Sequence, residues 1–284
     1  MTHVVCVGDL MVDVVAKLPG PLALGSDTPS PIAFRGGGAA ANVAAWLVSA
    51  GAEATFLGRV GDDAAGERAL AQLEAAGVTV AASVDPDRPT GTIIVLVEPD
   101  GERTMIPDAG ANAGLGAAEF VLPREATELY VSGYALLEPG ARPFALAALA
   151  AARAAGRPIA VDAASAAPLA RVAAEFPGWV GSGVLLFANA DEARVLGTGP
   201  RELAARYGAA VVKYGAEGAV WSDGRKMVRV PAAPGTVVDG TGAGDAFAAG
   251  FLAARGAGQD VPGCLAAAAQ LAARAISRVG ARPG

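Results

Sequence analysis

Short apolar runs alternate with amphipathic stretches along most of this 284-residue chain. Apolar runs bounded by turn residues predict buried strands, and longer amphipathic stretches predict helices. The predicted strands lie near Val4–Val7, Thr55–Val60, Leu129–Val131, Ile159–Val161, Val184–Phe187 and Ala210–Lys213. The predicted helices lie near Ala39–Ala50, Ala64–Ala76, Arg142–Ala155, Ala166–Glu175, Arg201–Tyr207, 244–255 and 261–277. Such alternation favours one α/β domain with a mostly parallel sheet covered by helices on both faces.

Several extended segments are left over once this sheet is assembled. Two of them, about 79–84 and 91–97, surround a proline-rich turn, and a third covers Arg103–Ile106. Late in the chain, residues 219–230 predict a hairpin across an Asp-Gly turn. We expect the early leftover strands to form a flap or lid on the domain.

Composition excludes several classes of protein. A hydrophobic fraction of 53% and a charged fraction of 18% indicate a filled core and argue against disorder. The net charge of −6 argues against nucleic acid as a partner, and no apolar run is long enough to predict a membrane span. Cys6 and Cys264 lie in a predicted strand and a predicted helix, as expected of buried thiols in a reducing cytoplasm.

The chain contains one histidine, His3, close to its first residue. Hydrolases with a histidine base, histidine zinc sites and histidine acid–base enzymes are therefore not expected. Catalysis would have to depend on carboxylates, lysine, backbone amides or a bound metal.

The most informative stretch is Asp239–Phe247, where three glycines and two aspartates precede an apolar helical pattern. A glycine-rich turn that enters a helix presents free N–H groups and the positive end of the helix dipole, which together bind anions. Asp245 would then be a base that takes a proton from an attacking hydroxyl. The alternative is an ordinary helix start capped by aspartate. The phosphate-binding P-loop and the dinucleotide-binding glycine motif are both missing from the chain.

Polar residues and glycines also follow other predicted strands. They are Asp13, Gly37, Gly38, Asn189, Glu192 and the stretch 239–245. Open parallel sheets bind ligands at the carboxyl ends of their strands, so these turns are expected to meet at one rim.

Four segments in this order resemble the motifs of the ribokinase-like (PfkB) carbohydrate kinases, and the likeness runs almost end to end. Gly37–Ala44 resembles the N-terminal signature, and Asp239–Phe247 the C-terminal one. Between them Asn189–Glu192 matches an N-x-x-E motif, and Gly8–Asp13 matches the first strand with its sugar-binding aspartate. The resemblance implies a three-layer fold with a central, mostly parallel sheet and a small β-lid, in a single domain over residues 1–284.

The resemblance implies an acceptor site in which Asp13, Gly37, Gly38 and Asn42 hold substrate hydroxyls. A carboxylate accepts from two neighbouring hydroxyls, and glycine lets a sugar ring approach the backbone. Arg103 would reach this site from a lid strand. The simpler interpretations are that Asp13 is a turn residue, that Asn42 starts a helix and that Arg103 lies on the surface.

The resemblance also implies ATP and Mg²⁺. Asp245 would be the base, and the amides of Gly242, Ala243 and Gly244 an anion hole. Glu192, with Asn189, would organise Mg²⁺ through water, unless it merely starts a short helix. On the nucleotide side the expected residues are Asn189, Lys213, Gly215, Gly218, Thr241, Gly242 and Gly244. Some members bind a monovalent cation, K⁺, and the resemblance implies that Asp239 would be a ligand of such an ion.

The lid is expected from about 10–35 and 79–106. Because the lid forms a dimer interface in many relatives, the resemblance also implies a homodimer, and we expect the protein in the cytoplasm. Met11 stands where ribokinases carry a ribose-binding asparagine, which makes ribose itself a poorer candidate. The predicted function is transfer of the ATP γ-phosphate to a hydroxymethyl group of a sugar or sugar derivative. A nucleoside kinase of the same family is the alternative, and a catalytically silent sugar-binding regulator is the alternative of a different class.

Overall fold

The computed structural model describes residues 2–197 and 199–283, and most strands in those residues belong to two separate sheets. The strands in those residues are β1 His3–Val7, β2 Met11–Lys17, β3 Ile32–Gly37, β4 Glu53–Leu57, β5 Arg59–Gly61, β6 Thr79–Val80, β7 Ser83–Asp85, β8 Thr92–Val97, β9 Arg103–Asp108, β10 Glu128–Val131, β11 Ile159–Asp162, β12 Val184–Asn189, β13 Gly208–Lys213, β14 Ala219–Ser222 and β15 Met227–Val230. The α-helices are α1 Ala39–Ser49, α2 Ala64–Ala75, α3 Gly133–Leu137, α4 Arg142–Ala154, α5 Ala166–Ala170, α6 Phe176–Val180, α7 Ala190–Val195, α8 Pro200–Tyr207, α9 Ala243–Gly256 and α10 Val261–Ile276. Short 3-10 helices cover Gly110–Gly114, Ala117–Glu119 and Gly215–Glu217.

The larger sheet has nine strands in the order β15-β14-β13-β12-β11-β10-β1-β4-β6. The strands from β13 to β6 run parallel, while β14 and β15 form an antiparallel edge. Neighbouring residues of β1 point to opposite faces, so Cys6 packs in one buried cluster and Val7 in the other. The predicted α/β fold, with helices on both faces of a mostly parallel sheet, is confirmed. None of the described helices has the length and apolar character needed to cross a membrane.

The smaller sheet has four strands in the order β3-β2-β8-β9. Its register places Asp13 opposite Arg35, so both side chains face the same side of the sheet. The extended segment 79–85 takes another position, because β6 joins the edge of the larger sheet and β7 pairs with β5. Of the second region expected in the lid, 79–106, the small sheet contains β8 and most of β9, whereas β6 and β7 lie elsewhere.

One predicted helix is interrupted. The stretch expected as Ala166–Glu175 is helical only as far as Ala170, and α6 begins at Phe176. Pro177 lies in the first turn of α6, where its missing N–H leaves no helical hydrogen bond unmade. Between the two helices residues 171–175 form turns, in which Arg171, Val172 and Glu175 donate to the carbonyl three residues earlier.

The parallel strands bring polar residues to one rim of the larger sheet. Asp9 follows β1, Asp162 ends β11, Asn189 ends β12 and Lys213 ends β13. Because these strands point the same way, their carboxyl ends meet at that rim, which is where ligands bind in open parallel sheets. The candidate site is described at that rim.

Candidate active site

Helix α9 begins at the rim with a glycine-rich turn. Gly242 precedes the first helical residue and has a φ of 75°, in the left-handed region that glycine adopts without strain. A Cβ atom on Gly242 would also overlap the main chain at Ala281. The N–H groups of Ala243 and Gly244 lie in the first turn of this 14-residue helix, where the helix dipole favours negative charge. The start of α9 is therefore suited to bind an anion.

Asp245 lies in that same first turn and is half-buried. Asn42, from α1, donates its Nδ2 to Asp245 Oδ2 at 2.8 Å. Burial raises the pKa of Asp245 to about 7, and the hydrogen bond from Asn42 partly counters that rise. A carboxyl with this pKa can exist in both protonation states near neutral pH, as a proton acceptor needs.

A lysine and two further acids lie beside α9. Lys213 Nζ pairs with Asp162 Oδ2 at 3.0 Å, and a Cβ atom on Gly244 would lie 3.1 Å from the same Nζ. Burial opposes the charge of Lys213, but the charges of Asp162 and Glu192 outweigh it and raise its pKa. The cation is thus held between acids at the place where α9 would bind an anion.

Glu192 and Asn189 form a reciprocal cap at the start of α7. Glu192 accepts from Asn189 N at 2.7 Å and from Asn189 Nδ2 at 2.6 Å, and its own N–H donates to Asn189 Oδ1. Burial and the charge of Asp162 raise the pKa of Glu192 to about 7. A helix-start residue was the simpler interpretation of Glu192, and the structure shows that it has this role.

The glycines after β13 shape the turn that leads into β14. Gly215 and Gly218 both have positive φ, at 59° and 89°. A Cβ atom on Gly218 would overlap the carbonyl of Val230, so the two strands can approach only with glycine there. These residues set the backbone path next to Lys213.

Arg103 joins the small sheet to the glycine-rich turn. Its Nη1 donates to Asp239 Oδ1 at 2.7 Å and also contacts Thr241 Oγ1. Burial of Asp239 opposes its ionisation, but hydrogen bonds from Thr241 and Gly280 and the charge of Arg103 prevail and lower its pKa. Arg103 was expected over the acceptor, and the structure places its guanidinium on Asp239 and Thr241.

The residues expected to bind the acceptor lie in β2, at the end of β3 and at the start of α1. Asp13 is buried, and its Oδ1 has no hydrogen-bond partner among the described residues. Burial raises its pKa to about 6, and the charge of Arg282 partly counters this. Any Cβ atom on Gly37 would overlap the Asp13 carboxylate, and one on Gly38 would lie 2.5 Å from Asp9 O. The two glycines thus let the backbone of β3 and α1 approach these acids closely.

Three site residues were not predicted as such. Asp9 accepts from Ala39 N and from Ser132 Oγ, both at 3.0 Å, and so fixes the start of α1. Asp162 holds Lys213. Both follow buried strands directly, a signal that sequence reasoning could have used. Arg282 donates to Asn42 Oδ1 and Gly37 O, and nothing in its sequence surroundings indicates that it reaches the site.

The raised pKa of Asp245 has a consequence for stability. The folded pKa of about 7 exceeds the reference value of 3.8, so the folded protein holds the proton of Asp245 more tightly than the unfolded chain does. The buried carboxyl is therefore best tolerated at low pH, and it destabilises the fold increasingly as the pH rises towards 7. Asp245→Asn is therefore expected to stabilise the ligand-free protein at pH 8 by on the order of 2–4 kcal/mol, or about 5 °C in Tm. The gain should shrink as the pH is lowered to 5. Thermal unfolding at both pH values measures it, and a gain of equal size at pH 5 would contradict the burial account.

A model of the pfkB family of carbohydrate kinases matches residues 1–284. The fold and this match define the class of protein: it is a phosphotransferase with an alcohol group as acceptor. The chain belongs to the pfkB family of carbohydrate kinases. The resemblance identified from the four motifs and the predicted enzyme class are thereby confirmed.

Named relatives include kinases for sugars and for nucleosides. An ATP-dependent ribose-1-phosphate kinase from Halopiger xanaduensis is 31% identical over 281 residues, which are 96% of this chain and 89% of that protein. An aminoimidazole riboside kinase from Salmonella typhimurium is 29% identical and covers 89% of this chain and 80% of its own length. Among solved structures, an adenosine kinase from Sinorhizobium meliloti has a TM-score of 0.89 and 29% identity, covering 99% of this chain and 95% of its own. The chain is similar to each of these proteins.

Proposed function

We propose that this protein transfers the γ-phosphate of ATP to a hydroxymethyl group of a sugar or sugar derivative. The observation that carries the proposal is the position of Asp245, in the first turn of α9 beside the N–H groups of Gly242, Ala243 and Gly244. These amides would stabilise the charge on the transferred phosphoryl group. Asp245 would accept the proton of the attacking hydroxyl on the same side of the helix start.

The proton step is consistent with the electrostatics of Asp245. With a pKa of about 7, its carboxylate is available at neutral pH and is basic enough to take a proton late in the attack. Asn42 Nδ2 donates to Asp245 Oδ2, so Asp245 Oδ1 would be the oxygen that faces the acceptor. The hydrogen bond thus orients the carboxylate as well as favouring its charged form.

The family implies ATP and Mg²⁺, and the residues beside α9 fit both. Lys213, next to Gly244, would contact ATP phosphates, and Gly215 and Gly218 would shape the nucleotide side. The described residues contain no cluster of three or more His, Cys, Asp or Glu that could hold a metal. We propose that Glu192, with Asn189, would hold Mg²⁺ through its water, as this ion readily permits. When bound, the ion would neutralise charge on the phosphates.

On the acceptor side we propose that Asp13 binds substrate hydroxyls. Its buried Oδ1 lacks a partner, and a buried acceptor without a donor is costly unless a ligand supplies one. Gly37 and Gly38 would let the ring lie against the backbone. A nucleoside is the alternative acceptor, because relatives that match over most of the chain include a riboside kinase and an adenosine kinase.

The small sheet would act as a lid, with Arg103 as its contact to the glycine-rich turn. A closed lid would exclude water, which competes with the acceptor for the phosphoryl group. The outer face of the sheet carries an apolar row, because the register aligns Phe34, Val14, Ile94 and Ile106 across its four strands. Phe34 is 69% exposed. We propose that a second copy of the chain covers this row, as in a homodimer.

Arg103 also bears on the expected K⁺ site at Asp239. A monovalent cation on Asp239 Oδ1 would have to displace the guanidinium that pairs with it. We therefore expect the wild-type enzyme to have equal rates in KCl and in tetramethylammonium chloride. The Arg103→Met enzyme should be slower, and K⁺ should accelerate it, because Asp239 has then lost the charge of Arg103. Initial rates in the two salts measure this. Strong K⁺ activation of the wild type would contradict the assignment of Arg103.

The proposed function is tested by ADP release with Mg²⁺ against a panel of free sugars, sugar phosphates and nucleosides. Release that depends on one acceptor class would identify that class. Binding of a sugar without any ADP release across the panel would favour the silent sugar-binding regulator.

A further inference from the structure

The last described residues of the chain contact both the glycine-rich turn before α9 and helix α1. Gly280 N donates to Asp239 Oδ2 at 3.0 Å, next to the glycine-rich turn. Trp46 Nε1, in the buried face of α1, donates to Ala281 O at 2.8 Å. These contacts fix the two residues that precede Arg282 and direct its side chain towards α1.

Arg282 is held at two points. Its Nη2 donates to Gly37 O at 2.6 Å, and its Nε donates to Asn42 Oδ1 at 3.1 Å. Asn42 in turn donates to Asp245 Oδ2 at 2.8 Å. The three side chains therefore form a continuous line from the C-terminal segment to the proposed base.

The direction of this line follows from the chemistry of its members. A guanidinium only donates hydrogen bonds, whereas an asparagine amide has one accepting and one donating end. With Arg282 on one side, the oxygen of Asn42 must face the guanidinium, and its NH₂ must face Asp245. The reversed amide would place an oxygen against the carboxylate and an NH₂ against the guanidinium, and both contacts would be repulsive.

We propose that Arg282 is a positioning residue for the phosphoryl transfer: it fixes the amide of Asn42 so that Nδ2 donates to the base Asp245. This inference depends on the proposed function only in naming Asp245 as the base. Arg282 need not touch either substrate. Besides the direct effect of its charge, it acts through the orientation of one amide.

Other charged and titratable groups also act on Asp245. From the surrounding elements these are Asp9 after β1, Tyr130 in β10, Tyr134 in α3, Asp162 in β11 and Lys213 in β13. The acids oppose ionisation of Asp245 and Lys213 favours it. The charge of Arg282 also acts directly on Asp13, Asp9 and Asp245, so its effect through Asn42 has to be separated from the effect of its charge.

Loss of the anchor therefore has an expected direction. If the amide of Asn42 rotates freely, Asp245 loses a donor that favours its charged form, and its pKa rises above about 7. One hydrogen bond of ordinary strength corresponds to about half to one pH unit. The acid limb of kcat/KM should move to higher pH by that amount, and kcat/KM at pH 6.5 should fall about three- to eightfold.

Three variants separate orientation from charge. Arg282→Met removes both, while Arg282→Lys keeps the charge but cannot make both hydrogen bonds in the same geometry. Gly36→Ala leaves Arg282 intact, yet its Cβ would lie 2.5 Å from Nη1 and must displace the guanidinium. Arg274→Met is the matched control, since Arg274 is exposed on α10 and lies over the Trp46 ring without contacting Asn42.

The experiment measures the pH dependence of kcat/KM for wild type and variants, together with a ¹³C NMR titration of the Asp245 carboxyl in the resting protein. The Asp245 signal is assigned by its loss in Asp245→Asn. We expect an upward shift in Arg282→Met and Gly36→Ala, a smaller one in Arg282→Lys and none in Arg274→Met. A folded Arg282→Met protein that titrates as wild type would overturn the inference, as would a shift in Arg282→Met alone, since charge would then suffice.

The NMR titration keeps this inference separate from the proposed function. If the wild type shows no acceptor-dependent turnover, the proposed function fails, while the titration still reports whether Arg282 controls Asp245. If turnover is found and the titration is unmoved in the variants, only the role of Arg282 fails.

Discussion

Asp245→Asn is expected to lower kcat by on the order of 10³, because general-base catalysis typically contributes 10²–10⁴. Asparagine has almost the same shape and can still accept a hydrogen bond from Asn42 Nδ2. The acceptor and ATP should therefore bind as in the wild type, while no group at this position can take the proton. Steady-state kinetics and calorimetric binding on the same preparation separate the two effects.

The control for this variant is Asp191→Asn, which removes an exposed carboxylate that pairs with Arg194 on the surface of α7. It should leave kcat unchanged. An Asp245→Asn enzyme with wild-type turnover would show that the carboxylate is not the base. Loss of binding together with turnover would instead indicate that Asp245 holds a substrate.

Gly242→Ala is expected to have the second-largest effect, a fall in kcat of about 10²–10³, the loss typical when one donor of an anion hole is removed. Alanine is strained at a φ of 75°, and its Cβ would overlap the main chain at Ala281. The turn must shift to relieve the overlap, which moves the N–H groups at the start of α9. The expected loss of stability is about 1–3 kcal/mol, so the folded enzyme remains available for assay.

The matched control is Gly244→Ala, two residues further on. Gly244 has no positive φ, and its Cβ would lie 3.1 Å from the flexible end of Lys213, which can move aside. We expect a loss of less than about tenfold in kcat. If both variants lost activity equally, crowding near Lys213 rather than the backbone of the turn would be the cause.

Much of the fold could be predicted from the sequence because its signals are local. The apolar runs of β10 to β13 are buried on both sides, and the helices between them have a polar side, so their alternation specifies a parallel sheet. The glycine-rich turn before α9 also has a local cause, since Gly242 adopts a left-handed conformation. Both features depend on residues close together in the chain.

The rest of the site depends on contacts between distant residues, which no local pattern records. Arg103 reaches Asp239 over 136 positions, and Arg282 reaches Asn42 over 240. A single arginine near a chain end looks the same in sequence whether it is solvated or pairs with an active-site amide. The early end of α5 was missed for a different reason: the alanine-rich sequence that continues to Glu175 has high helix propensity, although residues 171–175 form turns.

The most direct test of the account is the stoichiometry of the reaction once an acceptor has been found. The enzyme is incubated with ATP, Mg²⁺ and that acceptor, and both ADP and the phosphorylated acceptor are quantified by mass spectrometry. The account predicts one phosphate ester on the acceptor for each ADP formed, and formation of both products slower by on the order of 10³ with Asp245→Asn. ADP formed without phosphorylated acceptor, or an ester formed equally well by the Asp245→Asn protein, would contradict it.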